Sequence, residues 1–196
     1  MKIIICGPPH SGKSVLREGL KKAILAIPNA SYPYFITACP DGEGAWFQET
    51  ASRFPEESLK LKEEYKRALG GFTPEFVERV SDSIKKCSLP LTFADIGGIL
   101  DIINKKICMN ATHAIILFNN YSNIHDWRKF CYDLGLKIIA EIYSDYNGKE
   151  DSTEIMDGLL IGTVHHLERG VDVSCRVGVI AIAEYLLKLG VKDGNI

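Results

Sequence analysis

Residues 7 to 14 read Gly-Pro-Pro-His-Ser-Gly-Lys-Ser, and this string constrains the fold of the chain more than any other. It fills every fixed position of the pattern G-x-x-x-x-G-K-[ST], the phosphate-binding loop called the Walker A motif. The apolar run Ile3-Ile4-Ile5-Cys6 leads into the string and predicts a strand, whereas Val15 to Ile27 has the periodicity of a helix. A strand, this loop and a helix in that order predict an α/β fold with a site for nucleotide phosphates.

Each residue type in the loop has a physical role in holding phosphate. Backbone N–H groups of the loop and of the helix start surround the anion, and Gly12 lets the backbone approach closely. We expect Lys13 to neutralise the β- and γ-phosphates of ATP, and the Ser14 hydroxyl to coordinate Mg²⁺. An ordinary loop at the start of a helix is the alternative. The predicted nucleotide-binding residues are Gly7, Pro8, Pro9, His10, Ser11, Gly12, Lys13, Ser14 and Val15.

Asp95 is the second expected metal ligand, together with Ser14. It closes the apolar run Leu91-Thr92-Phe93-Ala94 and precedes two glycines that leave room for a ligand. Mg²⁺ prefers hard oxygen ligands, and a carboxylate at the end of a neighbouring strand would supply one. The alternative role is a cap for the next helix, for which Asp101 is the better candidate.

Asp41, Glu43 and Arg169 are the remaining candidates for catalysis. The two carboxylates follow the second predicted strand, where they could orient or deprotonate an acceptor hydroxyl or a water molecule. A Pro-Asp-Gly turn, with Glu43 favouring a helix start, explains the same residues equally well. Arg169 could reach a transferring phosphoryl group from a lid, or it could be an exposed structural arginine.

Alternating strand and helix patterns predict a P-loop NTPase-like, three-layer α/β fold over residues 1–196 as one domain. We expect a parallel five-stranded sheet of kinase-like strand order, with the strand of Asp95 beside the strand of the loop. Asp157 to His165 is a possible sixth strand, and a last helix over Val173 to Leu189 is expected to end at Gly190. The predicted strands are Lys2–Cys6, Tyr34–Ala38, Leu91–Ile96, His113–Phe118 and Leu136–Ile142. The predicted helices before the last one are Lys13–Ile27, Gly44–Arg53, Glu56–Leu69, Pro74–Cys87, Ile99–Met109 and Ile124–Leu134.

Composition narrows the classes of partner. The 23 basic and 25 acidic residues give a net charge of -2, which argues against general nucleic-acid binding. Apolar runs are too short for a membrane span and no secretory segment begins the chain, so a cytoplasmic protein is expected. The six cysteines form no C-x-x-C pair and are expected to be reduced thiols.

The expected ligands follow from the same patterns. Phe118 is followed by Asn-Asn-Tyr-Ser rather than the Asn-Lys-x-Asp of GTPases, which favours ATP over GTP. We therefore expect a nucleoside triphosphate with Mg²⁺ as ligand, and an unidentified small-molecule acceptor or protein as partner. Two functions remain open: an ATP hydrolase or kinase-like phosphotransferase, and a regulatory module that binds a nucleotide without turnover.

Several strings together resemble the P-loop domain that is joined to type III CRISPR-associated ring-nuclease-type proteins. That resemblance implies a nucleotide-binding accessory domain in antiviral signalling by cyclic oligoadenylate. The chain has no spare length for a ring-nuclease domain, so cleavage of cyclic oligoadenylate is not implied. The strings that carry the resemblance are residues 7–14, 39–44 with Trp46, 95–98, 127–142 and 167–170.

Overall fold

The computed structural model describes residues 1–39 and 72–192. Its described residues form an α/β structure in which one mixed, mostly parallel sheet lies between two layers of helices. The predicted helices Gly44–Arg53 and Glu56–Leu69 lie outside the described residues.

The sheet has seven strands in the order β2-β3-β1-β4-β5-β7-β6. All neighbouring pairs are parallel except β6 and β7, which form an antiparallel hairpin. The strand of Asp95 lies beside the strand of the loop, as predicted, with Ile5 opposite Asp95. The strands are β1 Lys2–Cys6, β2 Pro33–Thr37, β3 Leu91–Asp95, β4 His113–Phe118, β5 Lys137–Asp145, β6 Ser152–Met156 and β7 Leu159–His165.

The prediction of a five-stranded sheet is wrong. The possible sixth strand exists as β7, which pairs in parallel with β5, and β6 extends the sheet by one more strand. The sequence of β6, Ser-Thr-Glu-Ile-Met, gives little apolar alternation because this edge strand is largely exposed on both faces. The turn between the two strands places Asp157 and Gly158 at positive φ, 49° and 77°.

The helices begin close to their predicted positions where a cap is present. Thr73 caps α2, since its side chain accepts a hydrogen bond from the backbone N–H of Phe76 at 3.2 Å. Asp101 caps α3 in the same way, so this helix begins later than Ile99. The helices are α1 Lys13–Ala26, α2 Pro74–Lys86, α3 Ile102–Cys108, α4 Ile124–Asp133 and α5 Val177–Lys192, with a 3₁₀ turn at Tyr121–Asn123.

The predicted end of the last helix is also wrong, because α5 does not end at Gly190 but continues to Lys192. A glycine inside a helix costs about 1 kcal/mol relative to alanine, which does not forbid it. Packing outweighs this cost, since Val179, Ile182 and Leu186 of the same helix are fully buried.

Alternate residues of the central strands face two separate apolar layers. Ile3 and Ile5 pack with α1 and α5, whereas Ile4 and Cys6 pack with α2, α3 and α4. The strands are therefore buried on both faces, as expected for a parallel sheet. Among the described helices, none is both long and apolar enough to cross a membrane.

Candidate functional site

The loop of residues 7–12 connects the carboxyl end of β1 to the start of α1, as the motif requires. Gly7 begins it with φ of 142°, a conformation that side chains rarely adopt. A Cβ atom at this position would lie 1.8 Å from the carbonyl oxygen of Leu117, the next-to-last residue of β4. Gly7 is therefore required by both its backbone angle and its contact with the neighbouring strand.

The end of the loop is built around Gly12 and Lys13. Gly12 has φ of 87°, and a Cβ atom there would lie 2.7 Å from Cβ of Leu167. The ammonium of Lys13 turns back over the loop, where it donates to the carbonyl oxygens of Gly7 at 3.0 Å and Pro8 at 2.8 Å. The lysine thus brings its positive charge to the concave side of the loop, at the amino end of α1.

The two predicted metal ligands are adjacent. The Ser14 hydroxyl donates to Oδ2 of Asp95 at 3.1 Å, across the gap between α1 and β3. Asp95 ends β3 and is only 6% exposed, so its carboxylate is largely protected from water. A hydroxyl and a carboxylate oxygen side by side fit the hard-oxygen preference of Mg²⁺.

Arg17 is a third member of this cluster. Its guanidinium is buried, with Nη1 3.6 Å from Oδ2 of Asp95 and Nη2 2.8 Å from Oε1 of Glu18. Arg17 lies three residues after Ser14, which places both side chains on one face of α1. The i, i+3 spacing from Ser14 is visible in the sequence, but Arg17 is not among the predicted site residues.

The segment that follows β3 packs against the loop. A Cβ atom on Gly98 would lie 2.5 Å from the backbone nitrogen of Pro9, so the two backbones touch directly. Asn104 fastens the same segment, because its side-chain Nδ2 donates to the carbonyl oxygens of Gly97 at 3.2 Å and Ile99 at 2.6 Å. Its Oδ1 is buried without a partner among the described residues. These contacts fix the wall of the site on the β3 side.

A cleft of about 610 Å³ opens in front of the loop. Of the predicted site residues, those that line it are Pro9, His10, Gly12, Lys13, Ser14, Val15, Asp95 and Arg169. Gly7, Pro8 and Ser11 belong to the same loop but are buried and do not line the cleft. Asp41 and Glu43 lie outside the described residues.

Two buried groups beneath the loop differ in chemistry. The Ser11 hydroxyl is buried and has no hydrogen-bond partner in the described part of the chain. Cys6 directly precedes the loop, and its sulfur lies 3.9 Å from that of Cys131. Burial, followed by the contact with Cys131, raises the pKa of the Cys6 thiol well above its ordinary value. Cys6 is therefore a neutral, apolar-type residue, as expected for reduced thiols in a core.

Comparisons with known proteins support the assignment of the fold. No family model matches the chain, and no curated protein matches it. Among solved structures, the chain is similar to a protein from Borrelia burgdorferi B31 that is assigned to plasmid partition and was crystallised with AMPPNP. The two share 14% sequence identity over 98% of each chain, with a TM-score of 0.60. At that identity the likeness shows a shared fold, which is α/β with a mostly parallel sheet.

The resemblance to the CRISPR-associated P-loop domain stays a prediction, since no match tests it. The structure brings described residues from four of its strings, including Cys39 and residues 95–98, to one cleft. Leu167 and Arg169, from residues 167–170, line the cleft with the loop of residues 7–14. The sequence alone does not predict that residues 167–170 lie near the loop, because their position depends on the pairing of β7 with β5.

Proposed function

We propose that the chain is a Mg²⁺-dependent ATP-binding protein of the P-loop type that hydrolyses ATP or transfers its γ-phosphoryl group to a small acceptor. One observation carries the proposal: Lys13, Ser14 and Asp95 converge at the mouth of one cleft. The AMPPNP-bound partition protein supports it, because that protein shares the fold and its structure holds an ATP analogue.

The loop and α1 bind the phosphates. Backbone N–H groups at the amino end of α1 point towards the cleft, and the helix dipole adds partial positive charge there. The Lys13 ammonium exchanges contacts with loop carbonyl oxygens for contacts with the β- and γ-phosphate oxygens. The buried Ser11 hydroxyl is a further polar group within the loop, and a buried hydroxyl without a partner costs about 1–3 kcal/mol.

Ser14 and Asp95 are the residues that would hold Mg²⁺. A bound ion would supply a Lewis acid there and would neutralise charge on the terminal phosphate oxygens. Arg17 contacts Oδ2 of Asp95, the same oxygen that accepts from Ser14, so it fixes the orientation of this carboxylate. We expect Arg17 to position Asp95 without touching the nucleotide.

The β3 side of the cleft is the proposed place of the acceptor or of the attacking water. Thr37, Cys39 and Gly97 line the cleft there, beside the metal-binding pair. Asp41 and Glu43 follow Cys39 closely in the chain and remain the predicted groups for orienting an acceptor. Arg169 lines the same cleft and remains the predicted group for contacting the transferring phosphoryl group.

The test of nucleotide binding is Lys13→Ala. Removal of the ammonium takes away the main positive charge on the β- and γ-phosphates, so stabilisation of the fold by MgATP is expected to disappear. Ligand at a hundredfold excess over its dissociation constant stabilises a protein by about 2.7 kcal/mol, which a thermal shift measures easily. Lys188→Ala, at an exposed position of α5, is the matched control and should keep the full shift. Unchanged ATP affinity in Lys13→Ala would contradict the proposal.

Turnover separates the enzyme from the alternative, a regulatory module that binds nucleotide without reaction. Phosphate release is measured with Mg²⁺ and ATP alone and with a panel of phosphorylatable metabolites. Loss of turnover with intact binding in Asp41→Asn and Glu43→Gln would favour the phosphotransferase. Binding without turnover under every condition would favour the module, for which the resemblance to the CRISPR-associated domain predicts a role in cyclic-oligoadenylate signalling.

A further inference from the structure

The cleft has two sides, set by the strand order. β3 lies on one side of β1, whereas β5 and β7 lie on the other. Residues that follow β3, such as Gly97 and Asn104, form one end of the cleft. Tyr146 and Leu167, which follow β5 and β7, form the opposite end, with the loop between them.

The metal-binding pair gives the triphosphate a direction. Ser14 contacts Asp95 on the β3 side of the loop, so these two residues would hold Mg²⁺, and with it the terminal phosphates, towards β3. The α-phosphate and the nucleoside would then extend towards the end of the cleft formed after β5 and β7.

An aromatic pair stands at that end. Tyr146 lines the cleft with a side chain that is 54% exposed, and its ring lies 4.9 Å from that of His166 at an angle of 37°. An exposed aromatic ring at the margin of a polar cleft offers a flat apolar surface of the kind on which nucleobases stack.

The backbone of His166 is held in an unfavourable conformation to form this pair. Its φ is 46°, in the left-handed region that residues other than glycine seldom adopt. Three contacts hold it: its N–H donates to the carbonyl oxygen of Asp145 at 2.8 Å, Nδ1 lies 3.2 Å from the carbonyl oxygen of Tyr146, and Nε2 lies 2.9 Å from Oε2 of Glu168. Such strain concentrates at ligand sites.

Leu167 connects the pair to the phosphate loop. It follows His166 directly and is buried against Gly12, whose missing side chain leaves space for it. The aromatic pair thus has a fixed position relative to the amino end of α1. A ligand whose phosphates lie in the loop has its other end beside Tyr146.

We infer that Tyr146, supported by His166, is the nucleobase platform of the cleft, and that stacking there favours purine over pyrimidine nucleotides. The inference rests on the proposed function, because it assumes that a nucleoside triphosphate occupies the loop. The larger ring system of a purine covers more of the tyrosine face, and stacking depends on that overlap.

A second exposed tyrosine at the same sheet edge provides the matched control. Tyr121, after β4, is 68% exposed and stacks on Tyr143 with ring centres 5.0 Å apart. Unlike Tyr146, neither residue is among the described residues that line the cleft. An effect of Tyr121→Ala on nucleotide binding would therefore place the base elsewhere.

The experiment compares ATP, UTP and inorganic tripolyphosphate, each with Mg²⁺, by titration calorimetry on the full chain. In Tyr146→Ala we expect at least about a 5-fold loss of ATP affinity, the lower bound for one stacked base. Tripolyphosphate affinity is expected to stay unchanged, which also shows that the variant is folded. Tyr146→Phe and Tyr121→Ala should bind ATP as the wild type does, and the preference for ATP over UTP should shrink in Tyr146→Ala alone.

Several results would overturn the inference. They are unchanged ATP affinity in Tyr146→Ala, an equal loss of ATP and tripolyphosphate in that variant, a loss in Tyr121→Ala instead, or a wild type that binds tripolyphosphate as tightly as ATP. All of these leave phosphate binding by the loop intact as a proposal. A wild type that binds neither ligand would defeat the proposed function and the platform together.

Discussion

Helices α1 and α2 begin in opposite ways. At the start of α2, Thr73 caps the backbone, Pro74 occupies the first position and Glu75 adds a negative charge to the first turn. At the start of α1, Gly12 in a left-handed conformation replaces the cap, no acidic residue occupies the first turn, and Lys13 opens the helix. One start neutralises its own dipole, whereas the other adds positive charge to it.

The start of α2 stabilises the helix itself, whereas the start of α1 has the positive charge that attracts an anion. The α2 arrangement is the stabilising one, since a cap contributes about 1 kcal/mol and an acid in the first turn a few tenths more. α1 lacks these terms, and packing stabilises it instead: Leu16, Leu20 and Ile24 are fully buried. The proposed binding of phosphate depends on this positive charge at the amino end of α1.

The largest effect is expected in the loop that leads into α1. In Gly7→Ala the new methyl group would overlap the carbonyl oxygen of Leu117, and the backbone angle would be strained as well. We expect a loss of more than about 4 kcal/mol in the free energy of unfolding, measured by urea denaturation. Gly135→Ala is the matched control, because Gly135 also has positive φ but nothing lies within 4 Å of its added Cβ. That variant should lose only about 1–2 kcal/mol, and equal losses would contradict the steric argument.

An intermediate effect is expected at the start of α2. Thr73→Ala removes the oxygen that accepts from the Phe76 N–H, so the free energy of unfolding should fall by about 1 kcal/mol. Thr73→Ser keeps the hydroxyl and should restore most of the loss. If the comparison between the two helices is right, the MgATP thermal shift will be the same in Thr73→Ala as in the wild type.

The smallest effect is expected at a surface ion pair of α1. Nζ of Lys22 lies 2.8 Å from Oδ2 of Asp172. The hydrogen bond from Lys22, together with one from the Ser174 backbone, lowers the pKa of Asp172 to about 2. A lowered carboxyl pKa stabilises the fold above the unfolded value of about 3.9, and the contribution is lost as the pH falls towards 2.

Asp172→Asn should therefore cost about 0.5 kcal/mol at pH 7, since both side chains are more than half exposed and solvent screens them. Denaturation at a series of pH values tests this: the gap between variant and wild type should close between about pH 4 and pH 2. A gap that stays constant with pH would assign the stabilisation to packing instead.

Local patterns predicted the parts of the site that belong to regular elements. The apolar runs of β1 and β3 identified two buried parallel strands, and their carboxyl ends necessarily meet, so Ser14 and Asp95 could be paired in advance. The structure confirms this pairing, because the conformations of the strand, the loop and the helix are each determined by residues that are close in the sequence. Thr73 directly precedes the predicted helix start at Pro74, so its cap also depends on neighbouring residues alone.

The parts that depend on distant contacts were not readable. β6 was missed because its exposed edge position leaves no apolar alternation to detect. Tyr146 and His166 directly follow the ends of β5 and β7, and no local motif marks either residue as part of a site. The positive φ of His166 accompanies contacts with Asp145 and Glu168, so the residue type alone does not predict it.

The touching backbones of Gly98 and Pro9 have a mechanical consequence. No side chain lies between them to absorb motion, so the phosphate loop cannot shift without pushing the start of the segment that Asn104 holds. A movement of the loop would therefore displace residues 97–99, and with them Asn104 in the first turn of α3.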